Sequence, residues 1–415
     1  MLHICRPTWL PTWPGRSVTT NLLNFTSDCI IALEKKAQVD VIYTDLKAAF
    51  DKIDHKILLH KLTRLGVSSQ LTSWLESYLT ERELRVNIDG FVSRPFSNKS
   101  GVPQGSNLGP LLFILFFNDA AFVLKKGFKM LYADDLKIYI EVRTEEDCRL
   151  LQDSLTMFAD WCRRNKLTIS INKCQVISFH RTSQSILFDY SIEGKIIPRV
   201  TEVSDLGVKL DSKMSFDSHR TAIISKATRQ LGFLSKIAKD FSDPHCWKSL
   251  YCALVRPILE NASIVWQPHQ LSWSLRIERI QKRFIRLALR NLPWRNPDSL
   301  PPYPDRCRLL ALDTLEQRRK LQQILFVAKI LYGAIDAPKL LEKMNFRVPY
   351  RTLRNTSLLQ PTFHRTLFGQ NEPILACIPA FTAVKEQIDF NETTEQFVNR
   401  IRYVILVFFK TLFVR

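Results

Sequence analysis

Three carboxylates stand out in a chain otherwise rich in basic side chains. Asp45 ends the run Val39 to Thr44, which reads as a buried strand, and Asp134 and Asp135 stand together between the short apolar runs Lys129 to Ala133 and Leu136 to Ile140. If those strands are neighbours in one sheet, the carboxylates converge at its edge. Two hard cations could bind there, one lowering the pKa of an attacking hydroxyl and both stabilising charge on an in-line phosphorus centre. A carboxylate beside a buried strand is costly unless it is paired or metal-bound, so its placement carries meaning. Each also has a plainer explanation taken singly: an Asp after a strand commonly caps a helix, and Asp-Asp is ordinary turn chemistry.

The elements that must position these groups sit in a chain of 415 residues, long enough for about two or three domains. It is 46% hydrophobic, 24% charged and 11% aromatic, with 12 Gly and 20 Pro. That balance is of a folded protein with a core, and it excludes disordered and collagen-like chains. The 59 Lys and Arg exceed the 40 Asp and Glu by 19 charges, which points to a polyanionic partner, most often nucleic acid. Nine cysteines without a C-x-x-C pair read as intracellular free thiols. No apolar run reaches the roughly 18 residues that would span a bilayer, so no membrane partner is expected. Met1 to Gly15 lacks the pattern of a secretory signal.

Along the chain, helical spacing is read over Ser17 to Lys36, His55 to Leu65 and Leu71 to Leu79, with Gly66 as a stop. Asp89-Gly90 inside Arg85 to Val92 signals a hairpin. Gly101-Val102-Pro103-Gln104-Gly105-Ser106 must be a loop, and the apolar run Leu111 to Phe117 after it a buried helix. Thr144 with Asp147 resembles a capping box opening a helix to about Lys166. Val176 to Phe179 and Thr201 to Leu210 read as strands, the second broken at Gly207. The fold class expected is α+β, an antiparallel sheet with helices on one face, giving way to helices after about Ser215. Residues 216 to 300 carry 14 Lys and Arg against 6 Asp and Glu, so the excess charge gathers there, and the proline-rich stretch Pro293 to Pro304 marks a second boundary.

Val41-Ile42-Tyr43-Thr44-Asp45 through Ala49-Phe50-Asp51-Lys52-Ile53-Asp54-His55, then Ser100-Gly101-Val102-Pro103-Gln104-Gly105-Ser106, then Tyr132-Ala133-Asp134-Asp135 follow the order and approximate spacing of a reverse transcriptase palm. Gly15-Arg16-Ser17, Thr20-Asn21-Leu22, Trp161-Cys162, Lys173-Cys174, Leu206-Gly207-Val208 and Leu250-Tyr251 through Val265-Trp266 fit as well. The chain resembles the reverse transcriptase of a non-LTR (LINE-type) retrotransposon of the group widespread in insects, from about Gly15 to Leu289.

The resemblance implies an RNA-directed DNA polymerase that extends a DNA primer 3′ hydroxyl on an RNA template with dNTPs and two Mg²⁺ ions, Mn²⁺ being an alternative. Asp45 and Asp134 would bind both metals, with Asp135 beside them and the Leu46 carbonyl as an auxiliary ligand. Phe50 would lie under the incoming sugar and exclude a 2′ hydroxyl, unless it is only a core residue of the following helix. Gln104 and Gly105 would line the nucleotide, Gly101 and Gly105 letting backbone approach the nascent base pair. Lys173 would protonate the leaving pyrophosphate, although Ser170 stands where the family usually has Asn. Leu206, Gly207 and Val208 would form the primer grip; a plain bulge is the alternative. Arg276, Arg279, Arg283, Arg286 and Arg290 make one helical face cationic, either a thumb surface following the template-primer backbone or a solvated face.

The domains so implied are a residual fingers segment over 1–38, a palm over 39–215, a helical thumb over 216–300 and a C-terminal helical region of unread role over 301–415. Met1 to Pro14 is too short for the family's fingers, no endonuclease precedes it, and His245, Cys246 and Cys252 lack zinc-ligand spacing. The expectation is therefore an N-terminally truncated element, nuclear by family resemblance and of unspecified oligomeric state. A catalytically defective nucleic-acid-binding remnant is the alternative.

Overall fold

The computed structural model describes residues 17–80, 82–124, 128–132, 135–182, 185–238, 240–290, 301–346, 359–384, 393, 395–397 and 400. Asp134, Gly15, Arg16 and most of the proline-rich stretch, 293–300, lie outside them. After an opening helix, α1 (Val18–Glu34), the described residues fall into two compact units, one over 35–203 and one made of α1 together with the chain from 204 onward. The division comes between Val203 and Ser204, ahead of the boundary read near Ser215, and α1 belongs with the later residues.

In the first unit the central strand β1 (Gln38–Thr44) is followed by the helices α2 (His55–Arg64) and α3 (Ser69–Leu79). Asp54 caps α2 by accepting from the Ile57 amide at 3.0 Å, and Lys166 at 2.5 Å holds its carboxyl below the usual range. Gly66, at φ 86°, ends the helix as its left-handed stop. Two short pairs come next, β2 (Glu83–Leu84) with β5 (Phe96–Ser97) and, inside it, β3 (Asn87–Ile88) with β4 (Phe91–Val92). The inner turn is Asp89-Gly90, both at positive φ, 48° and 89°. The helices α4 (Leu108–Phe117) and α5 (Ala120–Val123) lead to β6 (Phe128–Tyr132), β7 (Asp135–Val142) and α6 (Glu145–Arg164). The capping box of Thr144 and Asp147 opens α6, with both reciprocal bonds present.

β8 (Gln175–Phe179), the pair β9 (Ser191–Ile192) and β10 (Lys195–Ile196), and β11 (Arg199–Val200) complete the unit. The main sheet runs β11-β8-β1-β7-β6. It is antiparallel except where β11 joins β8 in parallel, a departure from the all-antiparallel expectation. On one face Ile42, Ile138 and Val176 are neighbours and share a core with Leu58 and Leu62 of α2, Phe113 and Phe117 of α4, and Leu155, Phe158 and Trp161 of α6. Lys61 is sunk into that core. Its Nζ donates to the Phe116 carbonyl at 2.8 Å and Asp119 at 2.7 Å, and burial pulls its pKa down. Trp161 donates to the same Asp119 carboxylate at 3.2 Å, which gives the Trp161 motif a structural job.

The residues read as one broken strand form a two-stranded hairpin, β12 (Glu202–Asp205), within which the division falls, and β13 (Val208–Asp211) of the second unit, turning at Leu206-Gly207. Then come α7 (Asp217–Ile237), α8 (Pro244–Leu254), α9 (Arg256–Glu260), α10 (Ser263–Trp266) and α11 (Leu271–Ala288). After residue 300 follow α12 (Tyr303–Leu309), α13 (Leu315–Leu331), α14 (Pro338–Glu342), the pair β14 (Asn345–Phe346) and β15 (Leu359–Gln360), α15 (Leu367–Gln370) and α16 (Pro373–Thr382). α1 packs against α10, α14, α15 and α16. Lys343 donates to Ser27 at 2.7 Å and Asp28 at 2.9 Å, and Glu34 accepts from the Thr366 amide at 3.0 Å. Among the described residues no helix is long and apolar enough to cross a membrane, and the eight described cysteines form no disulfide.

Candidate active site

Asp45 follows β1 directly, and Thr44 pairs with Leu136 at the start of β7. The pairing ends there, with Asp45 the residue after the last paired one of β1 and Asp135, exposed, the residue before Leu136 on β7. Thr44 donates from Oγ1 to the Leu136 carbonyl at 3.0 Å, locking the two strand ends together. On the other side the chain 168–173 runs beside Asp45. Ser170 N–H donates to the Asp45 carbonyl at 2.8 Å and Lys47 N–H to the Thr168 carbonyl at 2.9 Å. These two bonds flank Leu46, and neither uses its carbonyl.

A 3₁₀ turn, Ile171–Lys173, then brings the Lys173 Nζ to 3.6 Å from the Asp45 Oδ2. That oxygen is buried and has no hydrogen-bond partner among the described residues. A buried, unsatisfied carboxylate oxygen is costly, and it is what a metal ligand is before the metal arrives. Among the described residues no group of three or more His, Cys, Asp or Glu side chains gathers here; what Asp45 offers is a hard carboxylate oxygen, the ligand type a divalent cation such as Mg²⁺ takes. Beside it Cys174 is buried, which raises its thiol pKa and keeps it protonated. Asp134, the third carboxylate read from the sequence, lies outside the described residues.

Phe50 belongs to a 3₁₀ turn, Ala49–Lys52, entered through Ala48 at φ 49°. Its ring is half-buried and stacks on Phe113 of α4, with centroids 4.2 Å apart and planes 13° from parallel. The core role and a ligand-facing role are compatible, because stacking occupies one face of the ring.

The loop 100–106 docks on this same turn. Gly101 N–H donates to the Ile53 carbonyl at 2.8 Å and Val102 N–H to the Phe50 carbonyl at 2.9 Å. At Gly101, φ 88°, an added Cβ would lie 2.7 Å from the Asp51 Cα. The neighbour that forbids a side chain there is within the protein, so the packing of Gly101 on Asp51 is by itself a reason for glycine at this position. Gly105, φ 76°, meets nothing within 4 Å and faces open space. Gln104 is exposed and donates from Nε2 to the Asp51 Oδ1 at 2.8 Å. His55 is buried and reaches the Gly101 carbonyl with Nε2 at 2.7 Å. Asp51 and His55 were not singled out from sequence, although both stand inside the quoted Ala49 to His55 motif.

In the second unit Leu206 and Gly207 hold φ of 46° and 84°, the two positive values a tight hairpin turn needs. Val208 is fully buried, and the Lys209 amide donates to the His219 Nδ1 at 3.2 Å. On α11 Arg276, Arg279, Arg283 and Arg286 are all exposed, while Ile277, Ile280 and Phe284 are buried; Arg290, expected on the same helical face, is exposed in the turn after the helix ends at Ala288. Arg276 lies over Trp273 at 4.2 Å and Arg290 over Trp247 at 5.4 Å. The opposite face of α11 is anchored by Glu278, which accepts from the first amides of α13, Leu315 at 3.0 Å and Glu316 at 3.2 Å.

The central strand of the sheet thus leads into a carboxylate with a lysine beside it, at the strand end where β7 opens with a second carboxylate. The model of the reverse transcriptase (RNA-dependent DNA polymerase) family matches residues 9–239, and the chain belongs to that family. It is 28% identical over 294 residues to the probable RNA-directed DNA polymerase from transposon BS of Drosophila melanogaster, covering 68% of this chain and 32% of that protein. It is 29% identical to the RNA-directed DNA polymerase from mobile element jockey of Drosophila funebris, over 63% of this chain and 30% of the relative. These relatives support the resemblance to LINE-type enzymes, and the chain spans about a third of their length. A solved structure, apo telomerase from Candida Tropicalis, aligns at 11% identity with a TM-score of 0.39, over 92% of this chain and 56% of its own, too distant to bear on the site.

Proposed function

We propose that this chain is an RNA-directed DNA polymerase of a non-LTR retrotransposon, extending a DNA primer 3′ hydroxyl on an RNA template with dNTPs. The observation that carries the proposal is the Asp45 Oδ2, buried without a hydrogen bond among the described residues, next to Lys173 at the end of β1, where β7 opens with Asp135. Asp45 and Asp134 would hold two Mg²⁺ ions, Mn²⁺ substituting, with Asp135 beside them and the Leu46 carbonyl as a further ligand. When bound, such ions supply a more acidic primer hydroxyl and stabilise charge at the phosphorus.

The chain's own residues do the rest. Lys173 stands close enough to the carboxylates to deliver a proton to the departing pyrophosphate. Phe50, held flat by Phe113, limits room at the sugar, and Gln104 and Gly105 face the base and sugar from an exposed loop. Leu206, Gly207 and Val208 form a stiff hairpin suited to gripping a primer strand, and the arginine face of α11 suits a phosphate backbone.

Purified protein given poly(rA), oligo(dT), Mg²⁺ and dTTP should extend the primer, and Asp134→Ala should abolish extension while leaving duplex binding intact. Extension no greater than in the Asp134→Ala control, with binding retained, would refute the polymerase assignment.

A further inference from the structure

Two stretches of the first unit, 50–55 and 100–104, are sewn together by five hydrogen bonds. Three involve the backbone of Gly101 and Val102, counting the His55 imidazole on the Gly101 carbonyl at 2.7 Å. The other two converge on a single residue, Asp51. Its carbonyl accepts from the Ser100 hydroxyl at 2.8 Å, and its carboxylate Oδ1 accepts from the Gln104 Nε2 at 2.8 Å. The Asp51 backbone is also what fills the space where a Cβ on Gly101 would go. Nothing in the polymerase assignment gives Asp51 a role.

The chemistry of the last bond is directional. An ionised carboxylate only accepts, whereas a Gln amide can point either its NH₂ or its oxygen at a neighbour. Against Asp51 only one orientation makes a bond. The Gln104 Oε1 and one remaining N–H are thereby turned away from Asp51, towards whatever ligand the loop meets. Without Asp51 the amide would be free to rotate about its last torsion, a soft two-fold one. Asp51 is also the residue after Phe50, so one 3₁₀ turn carries the ring and aims the amide.

We propose that Asp51 is a positioning residue: it fixes the amide orientation of Gln104 and so pre-orients the nucleotide-facing loop, an inference that rests on Gln104 contacting the nucleotide. It predicts a binding defect more than a chemical one. Asp51→Ala should raise the KM for dTTP about tenfold, the usual value of one charge-assisted hydrogen bond, with kcat changed by no more than about twofold. Asp51→Asn keeps an oxygen that can accept from the Gln104 Nε2, so its KM should stay within about twofold of the parent.

The decisive comparison is a double-mutant cycle with steady-state primer extension. In a Gln104→Ala background, Asp51→Ala should change KM by less than about twofold, because the amide it orients is gone. Equal effects in both backgrounds, an unchanged KM in Asp51→Ala, or an Asp51→Asn enzyme as impaired as Asp51→Ala would each overturn the positioning role. Asp51 is exposed, and duplex affinity equal to the parent's will show that each variant is folded. A parent protein that extends no primer would instead overturn the polymerase assignment and this inference with it, whereas an active parent with any of the three adverse results removes the role of Asp51 alone.

Discussion

The Nζ of Lys173 stands 3.6 Å from the Oδ2 of Asp45, the one carboxylate oxygen at the sheet edge found buried without a hydrogen bond among the described residues. At that distance it is an ion pair and not a hydrogen bond, so the lysine neutralises the site without occupying the oxygen. Lys173 is itself 72% exposed, which leaves its ammonium free to swing to a ligand. That reach is what the proposed proton delivery to a leaving group requires. Lys173→Ala should lower kcat for primer extension about a hundredfold with duplex affinity unchanged, and Lys173→Arg should recover little, because guanidinium is a far weaker acid. Single-turnover kinetics will separate that loss from slow product release. A Lys173→Ala enzyme within a few fold of the parent would leave the lysine only its charge-pairing role.

Phe50 and Phe113 form a stack whose second member belongs to α4. If the ring excludes a ribose hydroxyl, Phe50→Ala should reduce the preference for dTTP over UTP by about a hundredfold, and Phe113→Ala by less, since it only loosens the ring. The ratio of kcat/KM values for the two nucleotides is the measurement. An active Phe50→Ala enzyme with unchanged sugar preference would return Phe50 to a packing role.

The four arginines of α11, Arg276, Arg279, Arg283 and Arg286, are exposed, and its buried face is tied to α13 through Glu278. Replacing Arg279, Arg283 and Arg286 by Gln should therefore spare stability and weaken duplex binding. The slope of log K against log salt should flatten by roughly 0.7 to 0.9 for each phosphate no longer neutralised. Titrations of the RNA–DNA hybrid between low and physiological salt will read it. Unchanged affinity would make this a merely solvated face.

His219 accepts the Lys209 amide on Nδ1, so its proton sits on Nε2 and the ring is neutral. Burial, with Arg220 and Lys209 adding repulsion, brings its pKa down from 6.5 to about 4. The unfolded chain then binds a proton that the folded one refuses between those values. Stability should fall as pH drops from about 6.5 towards 4, by on the order of 3 kcal/mol for this residue. Urea midpoints measured down that range should decline less steeply in His219→Gln, whose amide oxygen can still accept from Lys209. Parallel curves for parent and variant would show that His219 contributes nothing to the acid response.

Much of this architecture can be read locally. Asp89-Gly90 turns a hairpin because both residues sit at positive φ, and Thr144 with Asp147 forms the box their spacing requires. Asp45 ends its strand because the run before it is buried on the central strand of the sheet. What local pattern does not carry is partnership. β11 is two residues long and has no period to betray its parallel pairing with β8. Leu206 looks like a strand residue, and only its positive φ shows that the turn begins there. Asp51 looks like any exposed acid until the loop about fifty residues later is seen to depend on it. Its hydrogen bond to Gln104 crosses that interval, and no window of sequence contains both with a reason to join them.

The grouping of α1 with α10, α14, α15 and α16 sets an order of assembly during synthesis. α1 leaves the ribosome before any strand of the sheet unit, yet the helices that cover it, α10 and α14 to α16, are translated only after that unit. The sheet unit has all its strands in hand once Val200 is made and can fold in the meantime. Through that interval Leu22, Leu23, Phe25 and Ile30 must wait uncovered. A nascent chain stalled before α10 would thus present a hydrophobic helix to chaperones, and release from them would be timed by the arrival of α10 and the C-terminal helices.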